Sequence, residues 1–148
     1  MNPLISRWTL RLVIAKTGGF VTGLVGAGVA ATTWPGLSAA FLVGVIAWYT
    51  TLGAIIGLCG PLDRHPLFPA WRLRWWLRGA VMGAWMNLLL LLLMHEQLAA
   101  LAQAAASPGS VFGNPSWILA EGALIGLVLD GLATRLAGEG RQLMVGRP

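Results

Sequence analysis

Apolar residues fall along this chain in four long blocks, broken by proline, glycine and arginine. The blocks run from Leu12 to about Thr33, Leu37 to Gly60, Gly79 to about Leu98, and Pro115 to about Leu136. Each holds roughly the 20 residues a helix needs to cross the hydrocarbon of a bilayer. The breaks are physical stops. Trp34-Pro35-Gly36 ends the first block, because Pro35 cannot continue a helix and Trp34 suits a membrane interface. Pro61 ends the second. The third is expected to run on as helix through the alanine-rich stretch Leu98 to Ala106, since alanine is a strong helix former. Asn114 followed by Pro115 supplies a cap and a first-turn residue for the fourth. Thr50 and Thr51 sit near the centre of the second block, where their hydroxyls can bond to the preceding turn. The tail from Gly138 is polar and short.

Two strings recur within this pattern. Arg-Trp-x-Leu-Arg stands at Arg7 to Arg11 and again at Arg74 to Arg78. Trp-x-x-x-x-Gly-Ala-x-Ile-Gly-Leu stands at Trp48 to Leu58 and again at Trp117 to Leu127. Same order and nearly the same separation mark a tandem duplication. The expected fold is an all-α membrane protein, one transmembrane domain over 1–148, with four transmembrane helices as two tandem, parallel-repeat helical hairpins. Repeat 1 covers about 7–66, repeat 2 about 74–137, and a short cytoplasmic tail 138–148. The repeat breaks down at one place. Trp48 lies mid-span in the second block, whereas Trp117 opens the fourth. Either the fourth helix has slid outward, which is favoured, or it is shorter with a non-helical segment packed above it. Irregular backbone at that depth must be covered by protein or line a wet cavity.

Composition agrees with the bilayer as solvent. Hydrophobic residues make up 57% of the chain and charged residues 10%, too few charges for a soluble domain of this size. No cleavable signal peptide is expected, because the first apolar stretch is too long and no Ala-x-Ala site follows it. The single cysteine, Cys59, excludes an intrachain disulfide. The net charge of +5 does not call for nucleic acid, since the arginines cluster at the ends of apolar blocks. They lie in the amino end, the second connector and the tail, and none lies in the other two loops. The positive-inside rule then puts both termini in the cytoplasm of what reads as a bacterial inner-membrane protein. Arg7, Trp8, Arg11, Arg74, Trp75 and Arg78 are expected to act as interfacial anchors.

Glycine in water weakens a helix, but in lipid it lets a neighbouring backbone come close. Gly19, Gly23, Gly53 and Gly57 are expected to join the first two spans, and Gly79, Gly83, Gly122 and Gly126 the last two. Lys16, Asn87, Glu121 and Asp130 are the candidate intramembrane polar and ion-pair residues. Lys16 and Asp130 each lie about five residues inside the basic end, roughly 7 Å at helical rise, so an ion pair between them is expected if the first and fourth spans are neighbours. The bland readings are a snorkelling Lys16, an interfacial Asp130, and a Glu121 that complements a helix amino end. Asn87 is the most central polar side chain, suited to an interhelical hydrogen bond.

No catalytic constellation or phosphate-binding loop is visible, and no cofactor or metal is expected. His65 and His95 are expected on opposite sides of the membrane. Two function classes fit, neither an enzyme. One is a structural or accessory subunit packing against a larger membrane-protein partner. The other is a small homo-oligomeric transporter or channel with a polar pathway near Lys16, Asn87, Glu121 and Asp130.

Overall fold

The computed structural model describes residues 6–62, 64, 73–106, 110, 113–140 and 143. Asp63, His65, Trp71 and Arg72 of the second connector, Gly109 and its neighbours, and most of the tail lie outside them. The described residues form five helices and no strand. Four of the helices are long and apolar enough to cross a membrane.

Helix α1 spans Arg7–Thr33, starting ahead of the apolar block because the Ser6 hydroxyl accepts the Thr9 N–H at 3.1 Å. At 27 residues it is about 40 Å long, more than the ~30 Å of bilayer hydrocarbon. Its first turns therefore have room to lie at headgroup depth. Helix α2 spans Ala39–Leu58 and is capped by Ser38 in the same way. The Thr50 and Thr51 hydroxyls donate to the carbonyls of Ile46 and Ala47, one turn back, at 2.6 and 2.8 Å. Helix α3 spans Trp75–Leu93.

The chain then departs from expectation. Helix does not continue smoothly from the third block into the alanine-rich stretch. Met94 takes a non-helical conformation (φ −127°, ψ 30°), and a separate helix α4, His95–Ala105, sets off from it. Leu98, Leu101 and Ala102 of α4 are half-buried, while Glu96, Gln97 and Gln103 are exposed. That two-sidedness is what an interfacial helix has. The Trp34 indole donates to the Leu101 carbonyl at 3.2 Å and ties α4 to the end of α1. After the loop, Asn114 accepts the Ser116 N–H at 2.9 Å, and a 3-10 turn at Pro115–Trp117 leads into α5, Ile118–Ala137.

This arrangement also corrects the expectation that the fourth span slides outward. The Asn87 side chain accepts from the Trp48 indole at 3.2 Å and donates to the Ile118 carbonyl at 2.9 Å. Trp48, mid-way along α2, is thus linked through one side chain to the first residue of α5. Helix α5 is 20 residues long, as α2 is, and starts beside the middle of α2, not beyond it. Beside the first half of α2 lies α4, whose Leu98, Leu101 and Ala102 line a 210 Å³ cavity with Trp34, Phe41 and Trp117.

Helices α1 and α2 pack closely along their lengths, as do α3 and α5, and α5 also touches α1. Small residues set the closeness. Along α1 the buried positions are Arg11, Ala15, Gly19, Gly23, Ala27 and Ala30. A methyl group on Gly23 would lie 2.7 Å from the Ile46 Cα, and one on Gly57 2.8 Å from the Leu12 Cα. On Gly19 it would lie 3.1 Å from the Gly53 Cα. In the other pair, Gly79 faces Gly126 and Gly83 faces Gly122, and a methyl on Gly126 would lie 3.0 Å from the Gly83 Cα. Between the pairs sits an apolar core of Ala15, Tyr49, Leu52, Ile56, Leu129 and Ala133. The outward faces carry Val21, Val25, Trp85, Leu93, Leu124 and Leu136, all strongly exposed, as suits contact with lipid.

Candidate functional site

Two polar clusters are set into this apolar bundle, one at each side of the core. The first lies where α1 and α3 begin and α2 and α5 end. Arg11 continues the small-residue stripe of α1 and so points at the bundle interior. Arg78 opens the corresponding face of α3, one residue before Gly79. Both reach Asp130 on α5. The Arg11 Nη2 donates to Asp130 Oδ1, and the Arg78 Nε and Nη2 donate to Oδ2 and Oδ1 at 2.9 and 3.0 Å. The side chains of Arg11 and Asp130 are 0% exposed and that of Arg78 is 2% exposed.

Backbone and hydroxyl groups add to the cluster. The Arg11 Nη1 donates to Thr134 Oγ1 at 3.0 Å and to the Gly138 carbonyl. Gly138 has φ +91°, a conformation that glycine adopts cheaply, and ends α5 there. The Arg78 Nη1 donates to the Leu62 carbonyl at 2.9 Å, and its Nη2 lies 3.5 Å from Glu139 Oε2. Gly60 makes the room, since a methyl on it would stand 2.9 Å from the Arg11 Cζ and closer still to the rest of that side chain. The Gly140 N–H closes the turn onto the Gly60 carbonyl at 2.9 Å. Two guanidinium groups and two carboxylates leave no net charge. Such a cluster holds only while complete, because the cost of desolvating each ion is offset by its partners.

The second cluster is about 14 Å further along α5, nine residues at helical rise. Asn87 is 0% exposed and joins Trp48 to Ile118 as described. Tyr49 neighbours both Asn87 and Glu121. Trp48, Tyr49 and Glu121 line a 440 Å³ crevice with Phe41, Gly44 and Leu93.

Sequence and structure part company over several of these residues. Lys16 does not meet Asp130: it is exposed on the outside of α1, one residue beyond buried Ala15. Asp130 pairs with Arg11 and Arg78 instead. Those two arginines are not outward-facing interfacial anchors, because their helix phase turns them inward. Arg7 and Arg74 are exposed, whereas Trp8 and Trp75 are half-buried. The Trp75 ring packs on Gly131, where a methyl would lie 3.0 Å from its Cζ3. The four candidate polar residues are not one assembly: Asn87 and Glu121 stand together, Asp130 is across the apolar core, and Lys16 belongs to neither. Tyr49, Gly60 and Thr134 were missed from sequence. Tyr49 carried a signal, being four residues before Gly53 on the same helix face. Among the described residues, no three metal-ligating side chains stand together.

No protein-family model, no curated protein and no solved structure matches the chain. The reading of function therefore rests on the two clusters.

Proposed function

We propose that the chain is an integral membrane protein built from two tandem hairpins, about 7–66 and 74–137, that serves as a structural subunit packed against a larger membrane partner. Arginine placement puts both termini in the cytoplasm, with the bacterial inner membrane as the setting. The duplication draws support from Arg11 and Arg78, which end the two Arg-Trp-x-Leu-Arg strings and grip the same aspartate. Gly57 and Gly126, matched in the second string, each serve a close helix contact within their own pair.

The observation that carries the subunit reading is the buried Arg11–Asp130–Arg78 cluster. It spends its charges on internal cohesion, and the core of Leu52, Ile56 and Leu129 separates it from Asn87 and Glu121. One chain thus offers a braced block in which, among the described residues, apolar side chains separate the two polar clusters. Its outward apolar face, including Trp85 at 60% exposure, is suited to lipid or to a partner helix. Purification from native membranes in mild detergent tests this. A stoichiometric larger polypeptide is expected, and a homogeneous species made of this chain alone refutes the reading.

A second reading, a small homo-oligomeric transporter, draws on the crevice at Glu121. With Lys16 on the outside of α1, a polar pathway would have to form between copies.

A further inference from the structure

The crevice between α2 and the α3–α5 side has a chemistry of its own. Its 440 Å³ falls in the range of small-molecule sites. Its wall is apolar and aromatic, with Phe41, Trp48 and Tyr49 on one side and Leu93 and Met94 on the other. One carboxylate lines it, that of Glu121, and none of the described lining residues is cationic. The described ion pairs all belong to Asp130 and Glu139 at the far end of α5, so Glu121 has no basic partner among the described residues. Gly44 and Leu93 on the rim are exposed, and a methyl on Gly44 would meet nothing within 4 Å. The crevice is open there, at the level of the lipid-facing surface.

From this juxtaposition we infer that the crevice binds a lipophilic monocation, a quaternary ammonium, phosphonium or protonated hydrophobic amine, entering from the bilayer side. Glu121 supplies the opposite charge. Tyr49 lines the crevice beside it, and the Trp48 indole is held in place by Asn87. Aromatic faces attract a cation within about 6 Å of the ring, and more strongly where water is excluded. The apolar wall favours a cation clothed in hydrocarbon over a small hydrated one, whose desolvation is costly. This inference does not depend on the subunit reading.

The test uses the purified full-length protein in detergent micelles and two probes of one shape and opposite charge. Tetraphenylphosphonium should bind saturably at one site per chain, while tetraphenylborate should not. Glu121→Gln should weaken phosphonium binding by about tenfold or more, as loss of a desolvated charge partner does. Gly44→Phe, which adds bulk where the structure has open space, should abolish it. Helical content and monodispersity are checked for each variant, and if Glu121→Gln does not fold then Gly44→Phe decides. Equal binding of both probes means a crevice for any apolar chain, such as a lipid tail, and overturns the inference. So does the absence of saturable phosphonium binding, or binding that neither variant changes.

Discussion

Replacing Asp130 with leucine removes one side chain and strands two. In the intact protein its two carboxylate oxygens accept three guanidinium N–H groups, from the Arg11 Nη2 and from the Arg78 Nε and Nη2. Arg11 would keep Thr134 and the Gly138 carbonyl, and Arg78 would keep the Leu62 carbonyl and Glu139. What vanishes is the fully buried negative charge between two buried positive ones. Removing one member of a buried ion pair costs about 3–5 kcal/mol, because the remaining charge is left uncompensated. Here the two arginines also repel each other once Asp130 is gone, whereas proximity to the aqueous end of the bundle lets them relax toward water. The two effects oppose, so about 3–5 kcal/mol stands as the expectation for Asp130→Leu. Unfolding in mixed micelles titrated with SDS, followed by far-ultraviolet circular dichroism, measures it. Arg11→Met alone should cost less, since Arg78 still holds both carboxylate oxygens. In the double variant the two losses should fall short of additive, as for residues in one network. An Asp130→Leu protein within about 0.5 kcal/mol of the parent, the scatter of neutral surface substitutions, would refute the reasoning.

The remaining expectations concern other parts of the bundle. Lys16→Met should leave stability within about 0.5 kcal/mol and combine additively with Asp130→Leu, because the two side chains do not meet. Gly126→Leu should destabilise by about 1–3 kcal/mol or more in the same SDS titration, since the added atoms run into the α3 backbone at Gly79 and Gly83. An unchanged midpoint would place that face elsewhere. Asn87→Leu should cost about 1–2 kcal/mol by unpairing the Trp48 indole, and it should alter tryptophan fluorescence. Reporter fusions at Gly36 should read outside and at Arg64 inside, and the reverse pattern would overturn the proposed topology.

Much of the helical frame could be read from the chain because proline and glycine punctuate it and because span length is set by the bilayer. The α3–α4 break could not. Met94 is neither proline nor glycine, and nothing in Leu93-Met94-His95 forbids a helix. The break exists because α4 gains more by packing Leu98 and Leu101 beside Trp34 and Phe41 than by continuing straight. That is a tertiary gain, and helix propensity carries no trace of it. The start of α5 follows the same logic: with α4 lying beside the first half of α2, α5 need not extend there.

The polar residues teach a sharper lesson. Depth alone suggests Lys16 as the partner of Asp130, since both lie a similar distance from the basic end. Phase decides otherwise. Successive residues turn by about 100° around a helix, so one position changes what a side chain faces. On α1, Arg11 lies four residues from Ala15 and eight from Gly19, on the stripe that meets α2. Lys16 is one step off that stripe. On α5, Asp130 lies four residues beyond Gly126 and eight beyond Gly122, again on the stripe. On α3, Asn87 follows Gly79 and Gly83 at the same interval. In each case a polar residue continues a row of small ones, and the close approach that glycine permits is what buries it. Arg78 stands one position before the Gly79 stripe, and its long side chain still reaches Asp130 on the partner helix. Arg7 lies four residues before Arg11 and so in phase with it, but a full turn nearer the helix start, beyond the buried part of the stripe, and it is exposed.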